Sequence, residues 1–247
     1  MIETIIIGKR SNLTQAIIKN IDSAKVFSLK QILQKTNKIF SHKKKKNIIF
    51  NHSFPLFKLD NTKNIFEILD TNVNHINIFL KFLIKKNIKI NNFIYSSSSA
   101  VYSINSDNNH IHTNKILYGA SKLIVEKLLF SQSKILKCNL IISRIFNIYG
   151  SQEKSSLISK IINKKKVRIN KFNKSYRDFI HIDDVSKIYI KLLKNKKKFM
   201  IIDIGTGKAT SVKKLIMKYV AKNKKIISNI KKTKEVSYSK ANTILLK

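Results

Sequence analysis

Short apolar runs recur along the chain, each followed by a longer stretch in which Ile, Leu, Val or Phe return every three or four positions. The short runs predict strands at Thr4–Ile7, Lys25–Ser28, Asn47–Asn51, Asn92–Ser96, Asn139–Arg144 and Met200–Ile204. The helix-periodic stretches predict helices at Asn12–Asn20, Ile65–Lys86, Leu117–Ser131, Val185–Leu193 and Ser211–Lys222. Strands this rich in Ile are covered on both faces, and strand–helix alternation joins parallel strands through crossover helices. The fold class is therefore α/β, with a doubly wound parallel sheet. From about Ser151 to Ser175 the rhythm breaks into Lys-rich, irregular sequence, which marks a small separate lobe.

With 247 residues, 43% of them hydrophobic, the chain can bury a sizeable core. A single cysteine, Cys138, cannot form an intrachain disulfide. That excludes a stapled secreted scaffold and points to a reducing, cytoplasmic setting. The start Met-Ile-Glu-Thr-Ile-Ile-Ile-Gly lacks the basic residues and long apolar run of a signal peptide. Lys, Asn or Ser interrupts every apolar stretch short of membrane-spanning length, so no membrane partner is expected. The 50 Lys plus Arg against 13 Asp plus Glu give +37, a balance that also fits a nucleic-acid partner. The excess is almost all Lys, with Arg only at Arg10, Arg144, Arg168 and Arg177, and it rises together with Ile and Asn. All three have A/T-rich codons, so biased coding accounts for the charge without a ligand. Runs such as Lys43–Lys46, Lys164–Lys166 and Lys196–Lys198 carry no interleaved aromatics for base stacking, which makes nucleic acid the disfavoured partner.

Tyr118-Gly-Ala-Ser-Lys122 is the strongest candidate for chemistry. Residues four apart on a helix share a face, so phenol and ammonium can point into one cleft. Lowering a tyrosine pKa by roughly three units needs about 4 kcal/mol. A phenol so tuned exchanges a proton with a sugar hydroxyl or ketone at neutral pH. The same spacing also occurs on ordinary amphipathic helices. Upstream, Phe93-Ile-Tyr-Ser-Ser-Ser-Ser-Ala-Val-Tyr102 runs a buried strand into a serine cluster, and ligands of doubly wound sheets bind beyond the carboxyl ends of strands.

The turn after the first strand reads Gly8-Lys-Arg-Ser11-Asn-Leu-Thr14. A dinucleotide loop needs small residues here so that the backbone can approach the pyrophosphate at the helix N-terminus. It is either such a site, with Gly8, Arg10, Ser11, Asn12 and Leu13 against the cofactor, or a plain turn. Thr14 is expected to push the helix away from the strand. No acid follows the second strand, where Val26-Phe-Ser-Leu-Lys30 stands, and Asp22 precedes it. Nothing there repels a 2'-phosphate, and Lys9 and Arg10 would attract one. NAD(P) is the expected cofactor, with NADP favoured over NAD; the alternative is that both cations are simply exposed.

Together these blocks resemble the extended short-chain dehydrogenase/reductases, specifically the NAD-dependent epimerase/dehydratase family that acts on nucleotide sugars. The strand end is similar to the family's Ser-Ser-x-x-Val-Tyr, which makes Ser98 the serine that assists catalysis. Asp70-Thr-Asn-Val73 resembles the Asn-Val helix start, implying that Asn72 organises the site. Ser143-Arg-Ile-Phe-Asn-Ile-Tyr-Gly150 is similar to Arg-x-x-Asn-x-Tyr-Gly-Pro, implying that Asn147 meets the nucleotide sugar, with Ser151 in place of proline. Tyr176-Arg-Asp-Phe-Ile-His-Ile-Asp-Asp-Val185 resembles Arg-Asp-Phe-(Ile/Val)-His-Val-Asp-Asp-Val, which sets Arg177 near the substrate diphosphate. Ile204-Gly-Thr-Gly-Lys208 looks like the family's Asn-(Ile/Val)-Gly-x-Gly strand end, with Asp203 where Asn is usual. The glycine loop departs most, keeping only Gly8 of Gly-x-x-Gly-x-x-Gly.

The resemblance implies a Rossmann-type sheet. Residues 1–150 would be the dinucleotide-binding domain and 151–247 a small C-terminal substrate-binding lobe. Elements at about 179–205 would return to the main domain, re-entering near Phe179. The copy is trimmed, by about one strand–helix unit between the family's second and fourth strands. Tyr118 would be the acid/base, Lys122 would lower its pKa and hold the nicotinamide ribose, and Ser98 would bind the sugar oxygen. The implied activity is epimerisation of a nucleoside-diphosphate sugar through a keto-sugar, possession of a homodimer being compatible with it. The alternatives are an NADP-dependent nucleotide-sugar 4-ketoreductase and a non-catalytic RNA-binding relative. Dehydration is disfavoured, because Ser99-Ala100 stands where family dehydratases carry Asp-Glu.

Other polar residues read as structural. Asp183 and Asp184 open a helix, where acids cap amides and oppose the dipole. His110 and His112 sit in a polar stretch without a Cys or acidic cluster, so no metal site is expected. Cys138 has no evident thiolate activator and reads as inert.

Overall fold

Ile5, Ile6 and Ile7 are fully buried, and so are Ile48, Ile49, Ile94 and Ile141, which makes the sheet the centre of the core. The computed structural model describes residues 2–21, 23–34, 39–40, 44–61, 65–104, 113–150, 156–162, 175–220 and 238–246. Six parallel strands form the main sheet: β1 (Glu3–Ile7), β2 (Lys25–Phe27), β3 (Lys46–Phe50), β4 (Ile90–Ser98), β5 (Asn139–Ile145) and β8 (Phe199–Ile204). Their order is β2-β1-β3-β4-β5-β8. Between them run α1 (Asn12–Ile18), α2 (Leu29–Gln34), α3 (Phe66–Leu69), α4 (His75–Lys85), α5 (Thr113–Ile135) and α7 (Ile182–Leu192).

Period-two alternation sorts the strand residues between two apolar layers. Ile5, Ile7, Ile48, Phe50, Phe93 and Tyr95 face α2, α4 and α5. Ile6, Ile49, Ile94, Ile141 and Ile202 face α1 and α7. Burying each such side chain contributes about 1.5–3 kcal/mol before entropy is counted. The chain leaves β1 towards one edge and β3 towards the other, so these two neighbours form the topological switch point, and the crevice lies beyond their carboxyl ends.

A second, small sheet takes β6 (Asn147–Tyr149), β7 (Tyr176–His181), β9 (Ala209–Ser211) and β10 (Tyr238–Ser239), with α6 (Leu157–Ile162) and α8 (Val212–Val220) beside it. Phe179 belongs to this sheet; the chain rejoins the main layers through α7 and β8. All six predicted strands are present. The sequence reading lacked α2, which Ser28 and Gln31 start as a reciprocal capping box: Ser28 Oγ accepts the Gln31 amide at 3.2 Å and Gln31 Oε1 accepts the Ser28 amide at 2.8 Å. The helix predicted over Ile65–Lys86 is interrupted by a π-helical turn, Asp70–Asn74.

Asparagine, abundant in this chain, ties together the amino ends of the central strands. Asn91 Nδ2 donates to Asn47 Oδ1 at 3.0 Å, and Asn139 Nδ2 donates to Asn92 Oδ1 at 3.0 Å. Asn92, fully buried, also donates to the Leu193 carbonyl at 2.8 Å, fixing the end of α7. Asn92→Leu would leave the Leu193 carbonyl and the Asn139 amide without these partners, at about 1–3 kcal/mol per orphaned group. Urea denaturation of that variant should therefore show a stability loss of about 2–6 kcal/mol; a loss below about 0.5 kcal/mol would deny the ladder its role.

Candidate active site

Gly8 follows β1 with φ +122, and a Cβ there would lie 2.6 Å from the Asn51 carbonyl oxygen, so only glycine fits beside the segment after β3. Asn51, just past β3, donates from Nδ2 to Ser11 Oγ at 2.8 Å and to Thr14 Oγ1 at 2.9 Å. This corrects the expectation for Thr14. It is fully buried and its hydroxyl is pinned across the crevice, so the helix stays seated on the strand. Leu13 is buried in the apolar layer, which leaves only its backbone for a ligand. Lys9 and Arg10 are exposed in the turn, with Asn12 partly exposed at the start of α1. Asp22 lies outside the described residues.

Tyr118 and Lys122 lie on the inner face of α5. Gly119 allows it: a Cβ at Gly119 would lie 2.5 Å from the Ala100 carbonyl, so the helix packs directly on the 3-10 turn Ser99–Ser103 that follows Ser98. The buried Asn72, carried by the π-helical turn, accepts the Phe54 amide at 2.8 Å and donates to Ser121 Oγ at 2.8 Å. Ser121 in turn donates to the Tyr118 carbonyl at 2.7 Å. Asn72 thus ties the segment after β3 to the first turns of α5. Single π-helical turns within α-helices are frequent at functional sites.

Lys122 is 1% exposed; its Nζ donates to the Ser96 carbonyl at 2.9 Å and sits 4.9 Å and 5.7 Å from the ring centroids of Tyr95 and Tyr118. The shared face is as the spacing predicts, but the electrostatics run differently. Burial pushes Tyr118 up to about 12, with only a hydrogen bond to Ser53 pulling the other way. Burial pushes Lys122 down to about 7, opposed by the charge of Glu126. Desolvation is the dominant influence on Tyr118, which rests as a neutral phenol.

Ser98 caps the 3-10 turn, accepting the Ala100 amide at 3.2 Å, at the carboxyl end of β4. Asn147, on β6, donates to the Asp178 carbonyl at 3.0 Å. Asp178 is fully buried and its carboxylate accepts from Thr206 Oγ1 at 2.6 Å and from the amides of Thr206 and Gly207, which holds the Gly205–Gly207 turn after β8. Arg177 beside it is half-buried, with Nη1 on the Tyr176 carbonyl at 3.0 Å. Asp203, at the end of β8, accepts from Tyr102 at 2.7 Å, which couples that strand to the turn after Ser98.

Asn51, Ser53 and Glu126 escaped the sequence reading. Glu126 alone had a legible signal, lying four residues past Lys122 on the same helix face. His52 also lies here, its Nε2 2.9 Å from His75 Nδ1; burial, His75 and Lys122 together push it down to about 4, so it is neutral. Asp183 and Asp184 open α7 as expected, but the cap itself is His181, whose Nδ1 accepts the Asp183 amide at 3.3 Å. Cys138 is buried, which raises its thiol to about 11. His110 and His112 lie outside the described residues. Among the described residues no group of three metal-ligating side chains converges, and no helix is long and apolar enough to cross a membrane.

Comparison with known proteins adds a family. Residues 31–205 match the NAD dependent epimerase/dehydratase family. A dTDP-D-glucose 4,6-dehydratase of Dictyostelium discoideum is 32% identical over 141 residues, 49% of this chain and 32% of that one. An ADP-L-glycero-D-manno-heptose-6-epimerase of Fusobacterium nucleatum is 32% identical over 176 residues, 61% of this chain and 52% of its own. The matches thus span between a third and about half of these relatives' length. The fold is similar to that of a Thermus thermophilus UDP-glucose 4-epimerase solved in complex with NAD, with a TM-score of 0.79 at 12% identity, covering 99% of this chain and 92% of that one.

The buried lysine leaves a mark on stability. The unfolded chain holds the Lys122 proton up to the ordinary 10.5, whereas the folded protein releases it near 7. Between those values the unfolded state binds more protons, so this group makes stability rise with pH, and it contributes no slope below both. Chemical denaturation from pH 6 to 9.5 should show that rise in the wild type and a flatter curve in Lys122→Met. Parallel curves would mean that Lys122 titrates normally.

Proposed function

The chain belongs to the NAD-dependent epimerase/dehydratase family, and we propose that it is an epimerase of a nucleoside-diphosphate sugar, using Tyr118, Lys122 and Ser98. The observation that carries this reading is a buried Tyr118–Lys122 pair on one helix face, set by Gly119 against the turn that follows Ser98. Residues around the crevice fit a dinucleotide. Gly8 gives the close turn, Ser11 is small, and a serine hydroxyl that accepts from Asn51 keeps its own hydrogen to donate to a phosphate. Gly8, Ser11 and the backbone of Asn12 and Leu13 would hold the pyrophosphate, Arg10 the 2'-phosphate of NADP, and Lys122 the nicotinamide ribose. When bound, the cofactor supplies hydride exchange with the sugar carbon.

The chain's own residues handle the proton. Tyr118 Oη would take it from, or return it to, the sugar oxygen, and Ser98 Oγ would hydrogen-bond the same oxygen and fix its position. The Lys122 ammonium near the ring favours the phenolate whenever that proton leaves. Asn147 and Arg177, carried by the small sheet, would bind the nucleotide sugar, Arg177 at the diphosphate. A 4-ketoreductase is the second reading. It is favoured by exposed Lys9 and Arg10 and by the absence of an acid after β2, both of which suit NADP.

Tyr118→Phe should lower turnover by about 10²–10⁴-fold on any nucleotide sugar the protein accepts, while dinucleotide binding stays nearly intact. An unchanged rate removes Tyr118 from the mechanism. The Thermus neighbour was solved with NAD, whereas the loop cations of this chain favour NADP. Calorimetric titration should find NADP bound about ten to a hundred times more tightly, with Arg10→Ala bringing the two affinities together. Tighter NAD binding in the wild type would overturn the preference, and with it the case for Arg10.

A further inference from the structure

Tyr118, Lys122 and Glu126 repeat at intervals of four along α5, and all three are buried on its inner face. Glu126 is held more tightly than a surface carboxylate. Ser97 Oγ donates to its Oε1 at 2.5 Å, Arg144 Nε donates to both oxygens at 3.1 and 3.2 Å, and Arg144 Nη2 donates to Oε2 at 2.6 Å. Ser97 and Arg144 face each other in register across β4 and β5, so the sheet itself aims both donors at the helix. Arg144 is fixed in turn: Nη1 donates to Tyr102 Oη at 3.0 Å, and Tyr102 donates to Asp203 Oδ1 at 2.7 Å.

An ion pair built only to join helix to sheet could stand anywhere along α5. This one stands a single turn from the buried ammonium. The titratable groups facing Lys122 are Tyr95 from β4, Tyr118 and Glu126 from α5, and His52 from the segment after β3. The tyrosines and His52 are neutral at pH 7, so among the described residues Glu126 is the negative charge that opposes the desolvation of Lys122.

We infer that Glu126 is a positioning residue that acts through Lys122, its carboxylate locked by Ser97 and Arg144 so that it supports the positive charge of Lys122 against the face that carries Tyr118. The role rests on the reading of Tyr118 and Lys122 as the reacting pair, but its test needs no substrate. In protein labelled with ¹³C at the lysine ε carbon, the Lys122 signal, assigned by its loss in Lys122→Met, can be followed through pH. Glu126→Gln should move its midpoint down by about one unit, and Glu126→Asp should return it to near the wild-type value. Should Glu126→Gln not fold, because it removes the carboxylate that holds the partly buried Arg144, the double variant Glu126→Gln/Arg144→Gln leaves no lone charge and should show a downward shift that is smaller, because the Arg144 cation that opposes Lys122 is lost with it. A Lys122 midpoint that is unchanged in the variant that folds overturns the inference. Where turnover is measurable, the alkaline limb of the kcat/KM profile should move down with it. If no nucleotide sugar turns over, the catalytic reading fails while the NMR titration still decides for or against Glu126.

Discussion

A lysine ammonium in the interior is the constraint around which the carboxyl ends of β4 and β5 are arranged. Removing that charge from water is costly, and the interior answers with the Ser96 carbonyl, the faces of two tyrosines and a carboxylate one helical turn away. Each answer imposes a requirement of its own. The carbonyl requires β4 to run its full length to Ser98; the carboxylate requires Arg144 and Ser97 to neutralise and orient it; and Arg144 requires Tyr102, which places the turn after Ser98. The residues that hold the cation therefore also set the geometry of Ser98 and Tyr118.

The opposite side of the crevice is governed by backbone approach rather than by charge. β1 and β3 come so close at Gly8 and Asn51 that no side chain fits between them, and the Asn51 amide reaches over to two hydroxyls of the loop and of α1. With one glycine the loop keeps the turn it needs, and hydrogen bonds take over the fixing of helix to strand that close glycine packing supplies in a Gly-x-x-Gly-x-x-Gly loop. The small sheet hangs on a third buried group, Asp178, which gathers the turn after β8 and the Ala241 amide beneath Asn147 and Arg177.

Much of this was legible in the residues. Ile-rich runs identified every strand of the main sheet because their burial on both faces leaves no polar alternation to confuse the period. Tyr118 and Lys122 were legible because helical spacing fixes a shared face, and Asn72 because it sits in a recognisable block. What the sequence concealed was set by distance in space. Asn51 and Ser53 follow a strand with no motif around them, and their partners lie 37 to 40 residues away or on another helix. The direction of the Tyr118 shift was hidden too, because spacing tells which charges are near and says nothing about how completely water is excluded.

The crevice beside Gly8, Ser98 and Tyr118 is where we propose that a nicotinamide dinucleotide binds. Denaturing the freshly purified protein and identifying what it releases by absorbance and mass tests this most directly. The expected result is NAD(H) or NADP(H) in near-equimolar amount, or stoichiometric uptake when either is added to protein that releases none. Release of neither, together with no binding of either at millimolar concentration, would contradict it.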